Sequence, residues 1–312
     1  MVNHLYVMSD THDDLEAVKR AVDFMQSEGL EGARIIHAGD LALKPYTREA
    51  LDSLLETRDV RTFLAAKTRH NEGVLRGYKE LFDTSGIPYT VIPGNYDGSL
   101  TGIFGDCDIH NRAVKIEELT VAGYGGGGNL DEQWIGPGNI ELLARFGEIE
   151  LFNPNDLETL LRKNNPDIAV IHNPPYGLCD DMYPGAQVQH AGTPTSRRYL
   201  QENNNLKLVI SGHIHEAGPN GNNPNGVIGI AAVRKNNGEI GYVVNPGNLG
   251  RFELVDSRTL ETSRQFPYGT FVRVDIEDDG TPVNLTQYTV KEEGRTIGEV
   301  RVMRDIDLTK AA

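Results

Sequence analysis

The stretch Leu5-Tyr6-Val7-Met8-Ser9-Asp10-Thr11-His12 joins a short apolar run to two residues that can bind metal. Four apolar residues without polar alternation are typical of a strand that is buried on both faces. Leu15–Met25 follows with apolar residues at helical spacing, and Asp13 with Glu16 predicts a capping box at its start. A strand, a polar loop and a helix in this order predict the opening unit of an α/β fold.

The pattern of a short apolar run followed by polar residues recurs along the chain. Five further strands are predicted at Arg34–His37, Tyr89–Ile92, Ile168–Ile171, Leu206–Ile210 and Gly241–Val244. Helices are predicted at 47–55, 60–81 and 155–162. The segments 113–122, 270–274 and 283–290 are more typical of antiparallel hairpins. The sequence therefore predicts either one mixed sheet or two packed sheets.

The composition limits the kinds of partner. The chain has 45 acidic and 30 basic residues among 312, a net charge of −15, which repels polyanions. Extended nucleic-acid binding is therefore not expected, whereas a small phosphorylated substrate is compatible, because a bound metal outweighs the distant surface charge. Two cysteines cannot form a dense disulfide framework. No apolar stretch reaches the roughly 20 residues that span a bilayer. We expect a cytoplasmic protein without membrane contact, and the oligomeric state stays open.

The residues most able to bind metal stand just after the predicted strands. They are Asp10, His12, Asp40, Asn95, His172, His213 and His215. Because the carboxyl ends of parallel strands meet at one edge of a sheet, we expect these side chains to converge. Imidazole nitrogen together with carboxylate oxygen suits Mn, Fe or Zn better than Mg or Ca. Asp40 is placed centrally among them and could bridge two ions, an arrangement that activates water for attack on phosphorus.

Five blocks of the chain resemble those of the calcineurin-like metallophosphoesterases and occur in that family's order. They are Asp10-Thr11-His12, Gly39-Asp40, Gly94-Asn95-Tyr96-Asp97, His172 and Gly212-His213-Ile214-His215, and the turn Asn245-Pro246-Gly247 is also similar. The resemblance implies a four-layer α/β/β/α sandwich of two mixed sheets flanked by helices. It also implies two divalent transition-metal ions, with Mn as the first choice and Fe or Zn as alternatives. One ion would be bound by Asp10, His12, Asp40 and His215, and the other by Asp40, Asn95, His172 and His213.

The activity that the resemblance implies is hydrolysis of a small phosphoester by a hydroxide that bridges the two ions. Asp40, Asn95, Tyr96 and Asp97 are the candidate catalytic residues. Tyr96 stands where many members of the family have His, and a phenol with a pKa of about 10 cannot act as imidazolium does near pH 7. The resemblance therefore favours phosphodiesters over monoesters.

The replacement of His by Tyr96 suggests individual roles for nearby residues. Tyr96 is the first candidate for substrate contact, with His70 and His190 as substitutes. Asp97 is expected either to orient a ligating imidazole or to cap a helix. The glycines before Asp40, Asn95 and His213 are expected to permit sharp turns.

Two other functions have to be weighed against hydrolysis. A non-catalytic protein-interaction scaffold on the same fold would lack metal ligands, and none of the seven is missing; a nuclease would need a basic groove, which the acidic balance opposes. The glycine-rich stretch 123–128 fits a dinucleotide fingerprint, but 129–138 predicts no helix after it.

The chain is expected to contain one domain. We assign residues 1–292 to it, with 41–87 as a helical insertion or lid, and 293–312 as a C-terminal tail of unknown role.

Overall fold

Two six-stranded mixed sheets form the centre of the protein. The computed structural model describes residues 4–29, 31–43, 48–128, 140–141, 144–145, 149–182, 189–218, 229–255, 262–266, 269–293 and 296–310. The first sheet contains β1 (His4–Met8), β2 (Ala33–His37), β3 (Tyr89–Val91), β14 (Gly269–Ile276), β15 (Pro282–Glu293) and β16 (Thr296–Asp307), in the order β16-β15-β14-β1-β2-β3. The second contains β4 (Arg112–Ile116), β5 (Leu119–Tyr124), β6 (Ile168–Ile171), β9 (Leu208–Ile210), β10 (Ile230–Arg234) and β11 (Ile240–Val244), in the order β10-β11-β9-β6-β5-β4. Two small hairpins, β7 (Asp181–Met182) with β8 (Gln189–His190) and β12 (Phe252–Val255) with β13 (Thr262–Phe266), complete the strands.

Helices cover the outer face of each sheet. The helices of the described chain are α1 (Leu15–Glu28), α2 (Arg48–Thr57), α3 (Val60–Ser85), α4 (Thr101–Phe104), α5 (Pro154–Asn164) and α6 (Pro194–Glu202), with short 3-10 helices at Gly105–Cys107, His215–Ala217 and Leu308–Lys310. Apolar residues of α1 and α3, such as Met25 and Phe82, pack on the first sheet, and Leu157 of α5 and Leu200 of α6 pack on the second. A third apolar layer lies between the sheets. These layers confirm the four-layer α/β/β/α sandwich.

The strand directions explain why polar loops meet at one place. β1, β2 and β3 run parallel to one another in the first sheet, and β5, β6, β9 and β11 do so in the second. The loops that follow these strands therefore leave the sheets on the same side. The pairs β4–β5 and β14–β15 are antiparallel hairpins, as the sequence predicts.

Two segments differ from their sequence-based description. The residue that caps α1 is Asp14, whose side chain accepts a hydrogen bond from the Ala17 amide at 3.1 Å, so the capping box at Asp13 is wrong by one residue. β16 pairs with β15 as the edge strand of the first sheet, and the expected boundary at 292 falls inside this hairpin. Its exposed edge position explains why the strand carries little apolar patterning. Whether residues 1–292 form a unit by themselves stays a prediction.

Among the described residues, no helix combines the length and the apolar character that crossing a bilayer requires.

Candidate metal centre

The loops after five parallel strands bring the predicted metal-binding residues into one buried cluster. Asp10 follows β1, Asp40 follows β2 and Asn95 follows β3, all in the first sheet. His172 and His213 follow β6 and β9 of the second sheet. Asp10, Asp40, Asn95 and His172 are each at most 3% exposed. The cluster therefore lies between the two sheets' loops and is withdrawn from bulk solvent.

One group of donor atoms consists of Asp10, His12 and His215. The Nε2 atom of His215 lies 3.1 Å from Oδ1 of Asp10 and 3.2 Å from Nε2 of His12. One nitrogen or oxygen of each residue lies within 4.8 Å of the others. Two imidazole nitrogens and a carboxylate oxygen that face one point form a set that suits a transition-metal ion.

A second group consists of Asp10, Asp40 and His172, with the amide of Asn95 beside it. The donor atoms of the first three lie within 4.8 Å of one another. Nε2 of His172 lies 3.6 Å from Oδ2 of Asp40 and 3.2 Å from Oδ1 of Asn95. Its Nδ1 donates to the Ala38 carbonyl oxygen at 2.6 Å, which leaves Nε2 to face the cluster. Because Asp10 belongs to both groups, the two groups adjoin.

His213 completes the cluster on the side of the second sheet. Its ring centroid lies 5.1 Å from that of His172. Its Nε2 is buried and has no hydrogen-bond partner among the described residues. A buried imidazole nitrogen without a partner is costly, and a metal ion would satisfy it. The residues present therefore fit two ions, with Asp10, His12 and His215 near one and Asp40, Asn95, His172 and His213 near the other. The expectation that Asp40 is shared by both ions stays a prediction.

The backbone at these positions is unusual. Asp10, His12, Asp40 and His213 have φ angles of 52°, 43°, 54° and 67°, in the left-handed region. Asp and His enter this region more readily than most residues, but it still costs free energy, and such conformations cluster at functional sites. The sharp turns are thus made by the metal-competent residues themselves.

The preceding glycines serve mainly for close approach. Of the three, only Gly39 has a positive φ, at 107°. A Cβ atom on Gly94 would lie 2.0 Å from Oδ1 of Asp40, and one on Gly212 would lie 2.7 Å from Oδ2 of Asp10. The expectation that all three glycines permit turns is therefore correct for Gly39 only.

Backbone amides hold the two carboxylates. The His213 amide donates to Oδ2 of Asp10 at 3.0 Å, and the Tyr96 amide donates to Oδ1 of Asp40 at 3.1 Å. Each bond joins loops of different strands. The carboxylates are thus fixed before any ion binds, which limits the reorganisation that binding requires.

The electrostatic environment keeps the carboxylates ionised. Burial opposes ionisation of Asp10, but the His215 and His172 imidazoles outweigh burial and lower the pKa of Asp10. Burial is likewise outweighed for Asp40, chiefly by His172, and the pKa of Asp40 is lowered. Burial and the neighbouring His172 lower the pKa of His213 to about 3. Burial is outweighed at His172 too, where the Asp40 and Asp10 carboxylates raise the pKa to about 9. Because ionised carboxylates and neutral imidazole are the forms that bind metal, Asp10, Asp40 and His213 are in the binding form near pH 7, whereas an ion at His172 displaces a proton.

Asp97 has a different role from the one expected. Its carboxylate accepts hydrogen bonds from the amides of Leu41 at 3.1 Å, Ala42 at 2.8 Å and Gly94 at 2.8 Å. Burial and the Asp40 carboxylate raise the pKa of Asp97 to about 7, against the effect of these amides. Asp97 thus joins the loop that carries Asp40 to the loop that carries Asn95, instead of orienting an imidazole or capping a helix.

The three candidates for substrate contact lie in different surroundings. Tyr96 is partly buried and packs against an apolar cluster that includes Leu54 of α2 and Leu64 of α3. His70 of α3 contacts Oδ2 of Asp13 at 2.5 Å, next to the His12 loop. Helix α3 therefore reaches two loops of the cluster, and Tyr96 and His70 mark where it does so.

His190 contacts Asp180 at 3.0 Å and Asp181 at 3.2 Å, in a group that contains none of the seven metal-competent residues. Donor atoms of these three residues also lie within 4.8 Å of one another. However, Oδ2 of Asp180 accepts amides of Gly177 and Gly192, both at 2.9 Å. These bonds explain the buried Asp180 as the anchor of its own loop.

Sequence reasoning did not single out two residues that contact the cluster. A Cβ atom on Gly127 would lie 2.8 Å from both Oδ1 of Asn95 and Cε1 of His213, so only glycine fits there. The run of glycines in 123–128 was the feature of the sequence that could have indicated this close packing. Residues 129–138, where the helix of a dinucleotide-binding motif would have to begin, lie outside the described residues. The rings of Phe266 and His215 pack edge to face with their centroids 5.6 Å apart, and no local motif marks Phe266.

Comparison with known proteins gives a family and a fold. A family model described as calcineurin-like phosphoesterase matches residues 4–217. A dimetal phosphatase from Danio rerio has a TM-score of 0.51 at 9% identity, over 97% of this chain and 98% of that one. The protein TT1561 of Thermus thermophilus has a TM-score of 0.47 at 16% identity, over 85% of this chain and 99% of that one. No curated protein matches the sequence.

Proposed function

This chain belongs to the calcineurin-like phosphoesterase family, and from that premise we propose that it hydrolyses small phosphodiesters in preference to monoesters. A phosphoesterase activity of this family depends on two metal ions. The observation that carries the proposal is the pair of adjoining donor groups that share Asp10. We propose Mn as the metal, with Fe or Zn as alternatives, because the donors mix imidazole nitrogen with carboxylate oxygen.

The chain's own residues prepare the site for in-line attack. When bound, two such ions would supply positive charge to the phosphoryl oxygens and lower the pKa of a water molecule. The amides of His213 and Tyr96 hold Asp10 and Asp40 in place, and the Ala38 carbonyl fixes the tautomer of His172. Asp97 ties together the loops that carry Asp40 and Asn95. These contacts support the proposal, because catalysis by orientation requires that the groups around the reacting atoms are held in fixed positions.

The preference for diesters rests on Tyr96. It follows Asn95 directly, where its amide donates to Asp40, and it offers a phenol in place of an imidazole. A phenol is a weak acid near pH 7, so substrates whose leaving oxygen needs little protonation are favoured. Aryl diesters are substrates of this kind.

We place substrate selection on helix α3, within the expected insertion 41–87. Leu64 packs in the apolar cluster that Tyr96 joins, and His70 contacts Asp13. Lys67 lies between Leu64 and His70 in helix α3, and Asn71 directly follows His70. Both Lys67 and Asn71 are on the buried face of the helix, where they are 2% and 5% exposed. Oδ1 of Asn71 has no hydrogen-bond partner within the described part of the chain. A cation and an amide in this position suit an anionic ester with a hydroxyl-bearing alcohol.

The test compares hydrolysis of an aryl phosphodiester, whose leaving oxygen needs little protonation, and an alkyl phosphomonoester, whose leaving oxygen needs a proton donor, by the Mn-loaded protein. Asp40→Ala should abolish turnover of both, because it removes a donor from the cluster, while thermal unfolding shows that the variant is folded. Asp23→Ala is the matched control, since Asp23 is exposed on helix α1, where it pairs with Lys19, and it should keep the wild-type rate. A wild-type rate in Asp40→Ala would refute hydrolysis at this centre.

Tyr96→His separates the diester preference from the activity itself. An imidazole there should raise the rate with the monoester relative to the diester by about a hundredfold, the usual contribution of a placed general acid. Tyr96→Phe, which keeps the ring against the α2–α3 cluster, should leave the ratio unchanged. An equal ratio in all three proteins would contradict the assignment of preference to Tyr96. The cytoplasmic location and the absence of extended nucleic-acid binding stay predictions.

A further inference from the structure

A second pocket lies at the open edge of the sandwich, between β3 of the first sheet and β4 of the second. It has a volume of about 680 Å³, which is within the range of small-molecule sites. Its walls include apolar side chains of both sheets, among them Ile109, Val114 and Ile116. None of the seven metal-competent residues lines it. The pocket is therefore separate from the metal centre.

One atom in each of two polar side chains of this pocket lacks a hydrogen-bond partner. Nε of Arg34 and Oγ1 of Thr90 are buried and have no hydrogen-bond partner among the described residues. Both residues line the pocket, and Thr90 is 5% exposed. A buried donor without an acceptor costs free energy, and the cost is larger when the donor belongs to a charged group such as a guanidinium. Their presence together calls for an acceptor that the described protein does not supply.

The sheet register places these two groups on the same face. β2 and β3 are parallel, with Ile36 opposite Thr90, so Arg34 lies two residues before the partner of Thr90. Alternation along a strand puts residues two apart on one face. Ile36 belongs to the apolar layer between the sheets, which means that Arg34 and Thr90 also face this layer. The guanidinium and the hydroxyl thus approach the pocket from one side.

The other charged groups of the pocket have contacts of their own. Asp83 accepts from the Tyr89 hydroxyl at 2.7 Å and from Lys79, and Asp106 lies 3.4 Å from Arg112. Nζ of Lys115 donates to the Glu118 carbonyl at 3.0 Å. Within the described chain no carboxylate forms a salt bridge with Arg34. Burial lowers the pKa of Arg34, against the smaller opposing effects of Cys107 and Glu117. Arg34 is therefore the charged residue of the pocket that an anion would satisfy.

We propose that this pocket binds a small organic anion, with a carboxylate or phosphate on Arg34 and Thr90 and an apolar body against Ile109 and Val114. Guanidinium binds planar or tetrahedral oxyanions through parallel N–H bonds, and a threonine hydroxyl can donate a further bond. The apolar wall favours an anion that carries a hydrophobic group over a bare ion. Arg34 is on β2, which precedes Asp40, and Thr90 is on β3, which precedes Asn95. A bound anion would therefore contact the two strands that position these residues, without contacting the metal centre itself.

The experiment is calorimetric titration of the full-length, Mn-loaded protein with inorganic phosphate and with benzoate. Benzoate joins a carboxylate to an apolar ring and should bind in the pocket, whereas phosphate alone should bind there more weakly. Arg34→Met should lose benzoate binding by at least about tenfold and Thr90→Val by several-fold, since hydrogen bonds to charged groups are worth about a factor of ten or more. Arg162→Met, which removes an exposed arginine of α5, is the control and should bind as wild type.

Asp40→Ala and thermal unfolding separate the two sites. Asp40→Ala should retain benzoate binding, because the pocket does not include the metal centre. Benzoate should raise the melting temperature of wild type but not of Arg34→Met. Without benzoate, Arg34→Met should be at least as stable as wild type, because it removes an unpaired buried charge. A lower melting temperature of this variant, or equal benzoate affinity in Arg34→Met and wild type, would overturn the proposal.

Discussion

At the scale of single residues, the metal centre depends on glycines, which have no side chain, as well as on the residues that can bind metal. Gly94 and Gly127 let the backbone approach Asp40, Asn95 and His213 to distances that no side chain would permit. Overpacking of this kind forces backbone shifts in a well-packed protein. The geometry of the carboxylates is therefore sensitive to a single added methyl group.

Gly94→Ala tests this sensitivity. Its Cβ would overlap Oδ1 of Asp40, so we expect a loss of about 1–3 kcal/mol in unfolding free energy together with reduced Mn content. Gly73→Ala is the matched control, because a Cβ there meets no atom within 4 Å, and alanine should stabilise helix α3 by up to about 1 kcal/mol. Denaturant titration and metal analysis measure both effects. Equal stability of Gly94→Ala and wild type would contradict the close approach.

His37 predicts a dependence of stability on pH. It is fully buried below the cluster, where its Nδ1 accepts the Gly39 amide at 3.2 Å and its Nε2 faces the Thr11 hydroxyl at 3.2 Å. Burial lowers the pKa of His37 to about 3, below its ordinary value of 6.5. The unfolded chain therefore binds the proton first, so the stability from this group is complete above pH 6.5 and is lost as the pH falls towards 3.

Urea unfolding of the metal-free protein at several pH values measures this effect. His37 alone contributes a slope of at most about 1.4 kcal/mol per pH unit between pH 6.5 and 3. His37→Asn, which cannot titrate, should show a shallower slope than wild type over the same interval. Parallel curves for the two proteins would show that His37 does not stay neutral in the folded state.

At the scale of secondary-structure elements, α3 connects the core to the metal centre. Its C-terminal half packs on the first sheet through Tyr78 and Phe82, while its N-terminal half packs with Leu54 and Tyr96. About 10 Å of helix separates Leu64 from Asn71. Lys67 and Asn71 are polar residues on the apolar face of α3, between its two packing regions. They lie in the same part of the helix as His70, which contacts Asp13.

Lys67→Met tests whether this polar part of α3 contacts substrate. Methionine fills a similar volume without the charge, so we expect KM for the aryl diester to rise by about tenfold, with little change in kcat and in metal content. Lys79→Met is the control, because Lys79 pairs with Asp83 on the exposed side of the same helix. A wild-type KM in Lys67→Met would place substrate selection outside α3, without affecting the hydrolase assignment.

At the scale of the whole molecule, the C-terminal hairpin extends the first sheet and closes one end of the layer between the sheets. β16 pairs with β15 over most of its length, and Leu308, directly after it, is 3% exposed in the apolar layer between the sheets. Burial of one leucine contributes about 1.5–3 kcal/mol. Residues 296–310 therefore contribute to the stability of the sandwich.

Truncation after residue 293 should lower the unfolding free energy by at least about 2 kcal/mol, because it removes Leu308 and exposes β15 as an edge. Leu308→Ala should account for much of this loss, whereas Thr309→Ala, at an exposed neighbour, should not. Denaturant midpoints of the three proteins measure the difference. A truncated protein as stable as wild type would instead support the division of the chain at 292.

The sequence by itself determined where the buried strands lie and which residues can bind metal. Both follow from local chemistry: a short apolar run forms a strand, and the polar residues after it have to form a loop. For this reason Asp10, Asp40, Asn95, His172 and His213 could be located before their neighbours were known. The family's order of blocks then implied the four-layer sandwich.

Tertiary structure alone decided the contacts between residues that are distant in sequence. Asp97 binds amides of the loop after β2, Gly127 lies against Asn95 and His213, and Phe266 packs on His215. Arg34 and Thr90 face one pocket only because β2 and β3 are neighbours in this register. Such contacts depend on which strands become adjacent, and sequence periodicity within one strand carries no information about the identity of its neighbour.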